Sequence, residues 1–84
     1  MKYEDYKNQE TEDLVIERVM IKSQITSLIR ETKIDDIPDL TISKEWKSLY
    51  ASKFLIEHEL KNRGCHNERH IDMYERSLYE RGLI

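Results

Sequence analysis

Residues 11–33 read TEDLVIERVMIKSQITSLIRETK, and their pattern predicts the long helix around which this chain is organised. Acidic side chains near its start and basic ones near its end suit the helix dipole, with Thr11 as the expected N-cap. At about 100° per residue, most of its apolar residues share one wide face. We expect this face to be buried; it comprises Leu14, Val15, Val19, Ile21, Ile25, Leu28 and Ile29.

Ile16 and Met20 fall on the opposite side of the same helix. A helix that is apolar on two sides needs two surfaces to pack against, and a monomer of three helices covers only one of them easily. The sequence therefore predicts self-association, with a second copy of the chain as the cover. The residues expected at this self-interface or partner interface are Val15, Ile16, Val19 and Met20.

A second helix is predicted over about 42–63, beginning after Thr41 or Ser43 as N-cap and ending at a glycine. Its apolar arc should form the aromatic centre of the core, and consists of Trp46, Leu49, Tyr50, Phe54, Ile56 and Leu60. Lys53 and Glu57 lie within this arc, four residues apart. Their side chains can therefore pair with each other, or make a polar contact to a partner.

A third helix is predicted over about 67–81, with Asn67 as N-cap and Gly82 after its end. Its narrow apolar stripe consists of Ile71, Tyr74 and Leu78. Tyr79 lies off this stripe, and exposed aromatic residues often supply interface energy. Tyr79 is therefore a further candidate contact to a partner.

The remaining segments are shorter. Residues 1–10 are polar apart from two tyrosines and are expected to form a flexible or docking arm. Residues 34–40 contain Pro38 and three aspartates, so we expect a loop there, pinned to the core by its apolar residues. The sequence thus predicts an all-α fold: a small three-helix bundle with a polar N-terminal arm and one helical domain over 11–84, which self-associates.

Composition places the chain among small, highly charged globular domains. Its 84 residues allow a single domain. The net charge of −3 is spread so that no segment is basic enough to neutralise a phosphate backbone, which disfavours nucleic acid as the partner. A single cysteine and the absence of a signal-peptide pattern favour the cytoplasm. No stretch approaches the ~20 apolar residues of a membrane span.

The densest group of reactive side chains is Cys65, His66 and His70, with His58 about two turns upstream on the preceding helix. These residue types bind zinc, which makes the four residues weak candidates for a metal site. Their spacing matches neither a Cys-x-x-Cys finger nor a His-Glu-x-x-His helix. Adjacent Cys and His residues in a turn seldom reach catalytic geometry. We therefore predict no metal, no cofactor and no enzyme activity.

Two alternative functions stay open. The second and third helices could form a helix-turn-helix that turns Arg69, Arg76 and Arg81 toward a nucleic acid. Acidic residues interleave with these arginines, and Arg76 has i,i+4 neighbours in Asp72 and Glu80, which favours a structural role. An oligomer could instead hold a small ligand such as a nucleotide at helix ends between subunits.

The favoured hypothesis is a small noncatalytic protein–protein interaction module that regulates or inhibits a larger cytoplasmic partner. We expect it to form a homodimer or a higher homo-oligomer. Its small size, the lack of a catalytic motif and a composition rich in Lys, Ile and Glu would suit a bacterial or phage accessory regulator.

Overall fold

The computed structural model describes residues 3–84, and this part of the chain contains helices but no strand. The predicted all-α fold is confirmed. The elements are α1 (Tyr3–Lys7), α2 (Thr11–Glu31), a 3-10 turn (Ile34–Asp36), α3 (Ile37–Thr41), α4 (Lys44–Asn62) and α5 (Glu68–Glu80). The three long helices α2, α4 and α5 correspond to the three predicted ones, and each differs from its predicted bounds by two residues or fewer at either end.

The core lies between the three long helices, and α2 packs against both α4 and α5. α1 adds a fourth piece by packing on α4. The fully or almost fully buried apolar residues are Tyr6, Leu14, Val15, Ile21, Ile25, Ile56, Leu60, Ile71 and Leu78. On α4 these residues come only from the C-terminal half, so the deepest packing is at one end of the bundle.

Local capping chemistry explains the boundaries of α4 and α5. The Ser43 hydroxyl accepts from the backbone N–H of Trp46 at 3.3 Å, and the Asn67 side chain accepts from that of His70 at 3.0 Å. Gly64 and Gly82 follow α4 and α5 with φ of 105° and 72°, a region that favours glycine. Thr11 is not the N-cap of α2, because Glu10 occupies that position without a side-chain bond.

The N-terminal arm is more ordered than its polar composition predicts. Residues 3–7 form α1, and Tyr6 is fully buried in the core. Arg63 at the end of α4 donates to the carbonyl oxygens of Tyr6 and Lys7 at 3.2 and 2.9 Å, and to the Thr11 hydroxyl at 3.2 Å. The first two residues of the predicted arm, Met1 and Lys2, lie outside the described residues.

The expected loop over 34–40 is folded into the 3-10 turn and α3. Pro38 lies in the first turn of α3, where its missing N–H would have no intrahelical partner in any case. The expectation that the apolar residues here are pinned to the core is wrong for Ile34, which is 85% exposed. Ile37 and Leu40 are half-buried.

The predicted aromatic centre of the core is wrong. Tyr50 and Phe54 are exposed, at 43% and 68%, and Trp46 is only half-buried. The predicted apolar arc of α4 is wider than the part of the helix surface that the neighbouring helices cover. These aromatic side chains lie at the edge of the arc that is farthest from Ile56 and Leu60. Ile29, in the last turn of α2, is 46% exposed as well.

Candidate functional site

Of the four α2 residues predicted to form an interface, only Met20 is exposed in the structure. Val15 is fully buried in the core of a single chain, so its assignment to an interface is corrected. Ile16 and Val19 are half-buried, and Ile16 packs against the core. Met20 is 59% exposed, and its neighbours on that face are the polar residues Ser23, Gln24 and Ser27.

The candidate residues of α5 and its C-terminal end lie at the surface. Tyr79 is 52% exposed. Arg69, Arg76 and Arg81 are exposed as well. Arg76 Nε lies 3.5 Å from Glu80 Oε1, the i,i+4 pair that the sequence predicts, and both side chains are in solvent.

A row of aromatic side chains, at four-residue spacing, is the most exposed apolar feature of α4. We call it the α4 aromatic row; it consists of Trp46, Tyr50, Phe54 and His58. The Trp46 and Tyr50 ring centroids are 4.8 Å apart, and the Phe54 and His58 rings stack at 6.4 Å. His58 also contacts the Tyr3 ring of α1 at 5.5 Å. The four-residue period places successive members one turn apart along one side of the helix.

The exposed charges of α4 beside this row are basic. Lys44, Lys47 and Lys61 are exposed, and none of them forms a salt bridge within residues 3–84. The acids Glu57 and Glu59 are instead buried and paired inside the fold. The exposed surface of α4 is therefore positive although the chain as a whole has a net charge of −3.

A buried charge network joins the three long helices. Arg18 of α2 is 3% exposed; its Nη2 lies 3.4 Å from Glu57 Oε2, and its Nη1 lies 3.3 Å from Asp72 Oδ1 and 3.6 Å from Glu75 Oε1. The contact with Glu57 is an ion pair without hydrogen-bond geometry. Lys53 Nζ lies 2.9 Å from Glu57 Oε1, and Lys22 Nζ lies 3.3 Å from Glu75 Oε1.

The predicted pairing of Lys53 with Glu57 is therefore present, but Glu57 faces Arg18 in the interior. Sequence reasoning missed Arg18, although its position gave a signal. At about 100° per residue, Arg18 lies between Ile25 and Ile29 around the helix, inside the apolar face of α2. A cation at such a position requires anions from neighbouring helices.

A second polar cluster fastens α1 to α4. Tyr3 Oη donates to Glu59 Oε1 at 2.7 Å, Asn62 Nδ2 donates to Tyr3 Oη at 2.8 Å, and Arg63 Nε donates to Glu59 Oε2 at 2.7 Å. The hydrogen bonds from Arg63 and then from Tyr3 lower the pKa of the Glu59 carboxyl. The hydrogen bond to Glu59, assisted by desolvation, raises the pKa of the Tyr3 hydroxyl.

The four residues that the sequence offers as weak candidates for a metal site have different surroundings from one another. The His66 and His70 rings are 5.2 Å apart, Cys65 is half-buried against the core, and His58 lies between Phe54 and Tyr3. Within the part of the chain that the structure describes, no group of three or more His, Cys, Asp or Glu residues is arranged to hold a metal ion. No pocket opens among the same residues.

None of the helices in residues 3–84 has the length and apolar character needed to cross a membrane. The sequence and the fold match no protein-family model, no curated protein and no solved structure. The functional interpretation therefore rests on the side chains described above. Among them, the α4 aromatic row brings four aromatic side chains together on one helix, three of them exposed.

Proposed function

We propose that this chain is a small noncatalytic protein–protein interaction module that regulates or inhibits a larger cytoplasmic partner, as a bacterial or phage accessory protein would. The observation that supports this most is the α4 aromatic row. Phe54 is 68% exposed at the middle of a well-packed helix, where a polar residue would cost the fold little. Aromatic residues are over-represented among those that dominate binding energy at protein interfaces.

The proposal includes self-association of the chain through α2. Met20 would be the centre of this contact, with Ile16 and Val19 becoming fully buried beside it. In size-exclusion chromatography with light scattering, the wild-type protein should have at least twice the mass of one chain. Met20→Glu should reduce that mass to one chain, because a buried unpaired carboxylate is costly at an apolar contact.

Met73→Glu is the matched control for this variant, because Met73 is exposed to a similar degree, at 66%, but lies on α5. It should keep the wild-type mass. A wild-type protein that elutes as a single chain at high concentration refutes self-association.

The interaction itself is tested by affinity capture of the intact, tagged protein from the cell that makes it, followed by mass spectrometry. We expect one protein to be recovered in stoichiometric amount, to resist nuclease treatment, and to bind again when both proteins are purified. Capture of nuclease-sensitive material alone would refute the proposal and favour the nucleic-acid alternative through Arg69, Arg76 and Arg81. Failure of every captured protein to bind in purified form would refute it as well.

A further inference from the structure

We propose that the α4 aromatic row is a docking surface for an acidic amphipathic segment of another protein. This inference rests on the proposed function and specifies where the partner binds and what chemistry it presents. It follows from three observations: the spacing of the row, the sign of the exposed charges that α4 places beside it, and the inward orientation of Glu57 and Glu59.

The spacing of the row suits a helical partner. Trp46 and His58 are twelve residues apart, so the row extends about 18 Å along the helix axis. An amphipathic helix of about three turns presents apolar anchors over the same length, at positions i, i+4 and i+8. Phe54 and Tyr50 supply the most exposed apolar surface at the centre of this strip, and His58 and Trp46 lie at its two ends.

The exposed charges that α4 itself places beside the row select the sign of the partner. At about 100° per residue, the sector of α4 from Tyr50 to His58 also contains Lys47 and Lys61 and no carboxylate. The third exposed lysine, Lys44, lies about 40° beyond His58. The exposed acid of α4, Glu45, lies on another side of the helix. An apolar centre with a charged, hydrated rim is the usual anatomy of a protein interface. Complementarity to this rim requires Asp or Glu on the partner.

A second copy of this chain does not suit the row. If two copies met through this sector of α4, Lys47 and Lys61 of one copy would face the same lysines of the other. Like charges across an interface oppose binding, and these lysines have no carboxylate partners within residues 3–84 that would neutralise them. The row and the predicted self-interface at Met20 are therefore separate surfaces on different helices.

The test uses two synthetic peptides of about 16 residues with identical Leu and Phe anchors at helical spacing. One peptide carries Asp and Glu at its remaining exposed positions, and the other carries Lys. A single-stranded oligonucleotide of matching negative charge is the third probe. Each is titrated into the isotopically labelled intact protein, and amide shifts are followed by NMR. Fluorescence of Trp46, the one tryptophan of the chain, gives an independent readout.

We expect the acidic peptide to shift the amides of Lys44–Asn62 and to bind at least about tenfold more tightly than the basic peptide. Phe54→Ser should weaken this binding at least about tenfold, because Phe54 is the most exposed anchor. Met73→Ser is the matched control, since Met73 is exposed to 66% and Phe54 to 68%. It should bind within about twofold of the wild type. Circular dichroism should show both variants to be folded.

The charge assignment has its own variant. The double variant Lys47→Glu/Lys61→Glu should bind the acidic peptide more weakly and the basic peptide more tightly than the wild type does. It reverses the sign of the charges beside the row and leaves the apolar side chains of the row unchanged. Four results would each overturn the inference. The protein could prefer the oligonucleotide, or bind both peptides equally well. Met73→Ser could lose as much acidic-peptide binding as Phe54→Ser, or the wild type could fail to bind the acidic peptide at about 1 mM. The peptide test can fail while a captured protein still binds the purified chain at another surface. In that case the proposed function stands, and only the assignment of the α4 aromatic row as the docking surface is refuted.

Discussion

Arg18→Met removes the central cation of the buried network and tests whether that network holds the bundle together. In the variant, Glu57 keeps only Lys53 and Glu75 keeps only Lys22 as ionic partners. The side chains of Glu57 and Glu75 are 11% and 18% exposed, so water solvates their carboxylates poorly. Removing one partner of a buried ion pair typically costs about 3–5 kcal/mol. Because each acid retains a lysine, we expect a loss of about 2–3 kcal/mol.

A second substitution separates electrostatics from packing. Arg18→Met/Glu57→Leu removes, together with the cation, the more buried of the two carboxylates that lose it, and Lys53 can then extend into water. Replacing a buried ion pair with apolar residues of similar volume is often neutral or better. We therefore expect the double variant to lie within about 1 kcal/mol of the wild type, which makes it more stable than Arg18→Met alone.

Urea unfolding followed by circular dichroism measures these differences. With a slope of about 1 kcal/mol per M for a chain of this size, Arg18→Met should lower the midpoint by about 2–3 M. Arg76→Met is the matched control, because its ion pair with Glu80 is solvent-exposed and should be worth less than about 1 kcal/mol. A loss below about 1 kcal/mol in Arg18→Met, or a double variant no more stable than Arg18→Met, would refute the reasoning.

Two further predictions concern α1. Because hydrogen bonds hold the pKa of Glu59 below its ordinary value, its contribution to stability is complete above about pH 4.3 and is lost as the pH falls through the lower folded-state pKa. Urea midpoints measured from about pH 6 to about pH 3 should thus fall more steeply for the wild type than for Glu59→Gln, and parallel curves would contradict this. Tyr6 is fully buried and its hydroxyl has no hydrogen-bond partner within the described residues. Tyr6→Phe should therefore leave the unfolding free energy unchanged or raise it by about 1 kcal/mol, and a loss of that size in thermal or urea unfolding would reveal a partner for the hydroxyl.

Much of the fold could be predicted because its causes are local. The 3.6-residue period identified α2, α4 and α5, and the residues Ser43, Asn67, Gly64 and Gly82 marked their ends. A cap forms between a side chain and a backbone group three residues away, so the sequence contains both partners. The i,i+4 pair of Arg76 with Glu80 was predictable for the same reason.

The candidate surface was less predictable, because burial depends on which neighbours cover a helix. Periodicity placed Tyr50 and Phe54 in an apolar arc but could not tell how much of that arc other helices would cover. The same limit applies to Val15, which the sequence assigned to an interface and the packing of a single chain buries completely. Composition alone likewise could not reveal that Tyr6 anchors α1 in the core.

The amino-acid sequence by itself determined that this chain is helical, where its long helices begin and end, and that it carries more apolar side chains than one small core needs. Only the tertiary structure decided which of those side chains stay in water. It also decided that Arg18 pairs with acids from two other helices. Two of the three acids of α4, Glu57 and Glu59, turn inward, whereas its lysines other than Lys53 stay exposed. Hydrogen bonds within a helix depend on residues a few positions apart, whereas burial and charge pairing depend on residues that only folding brings together.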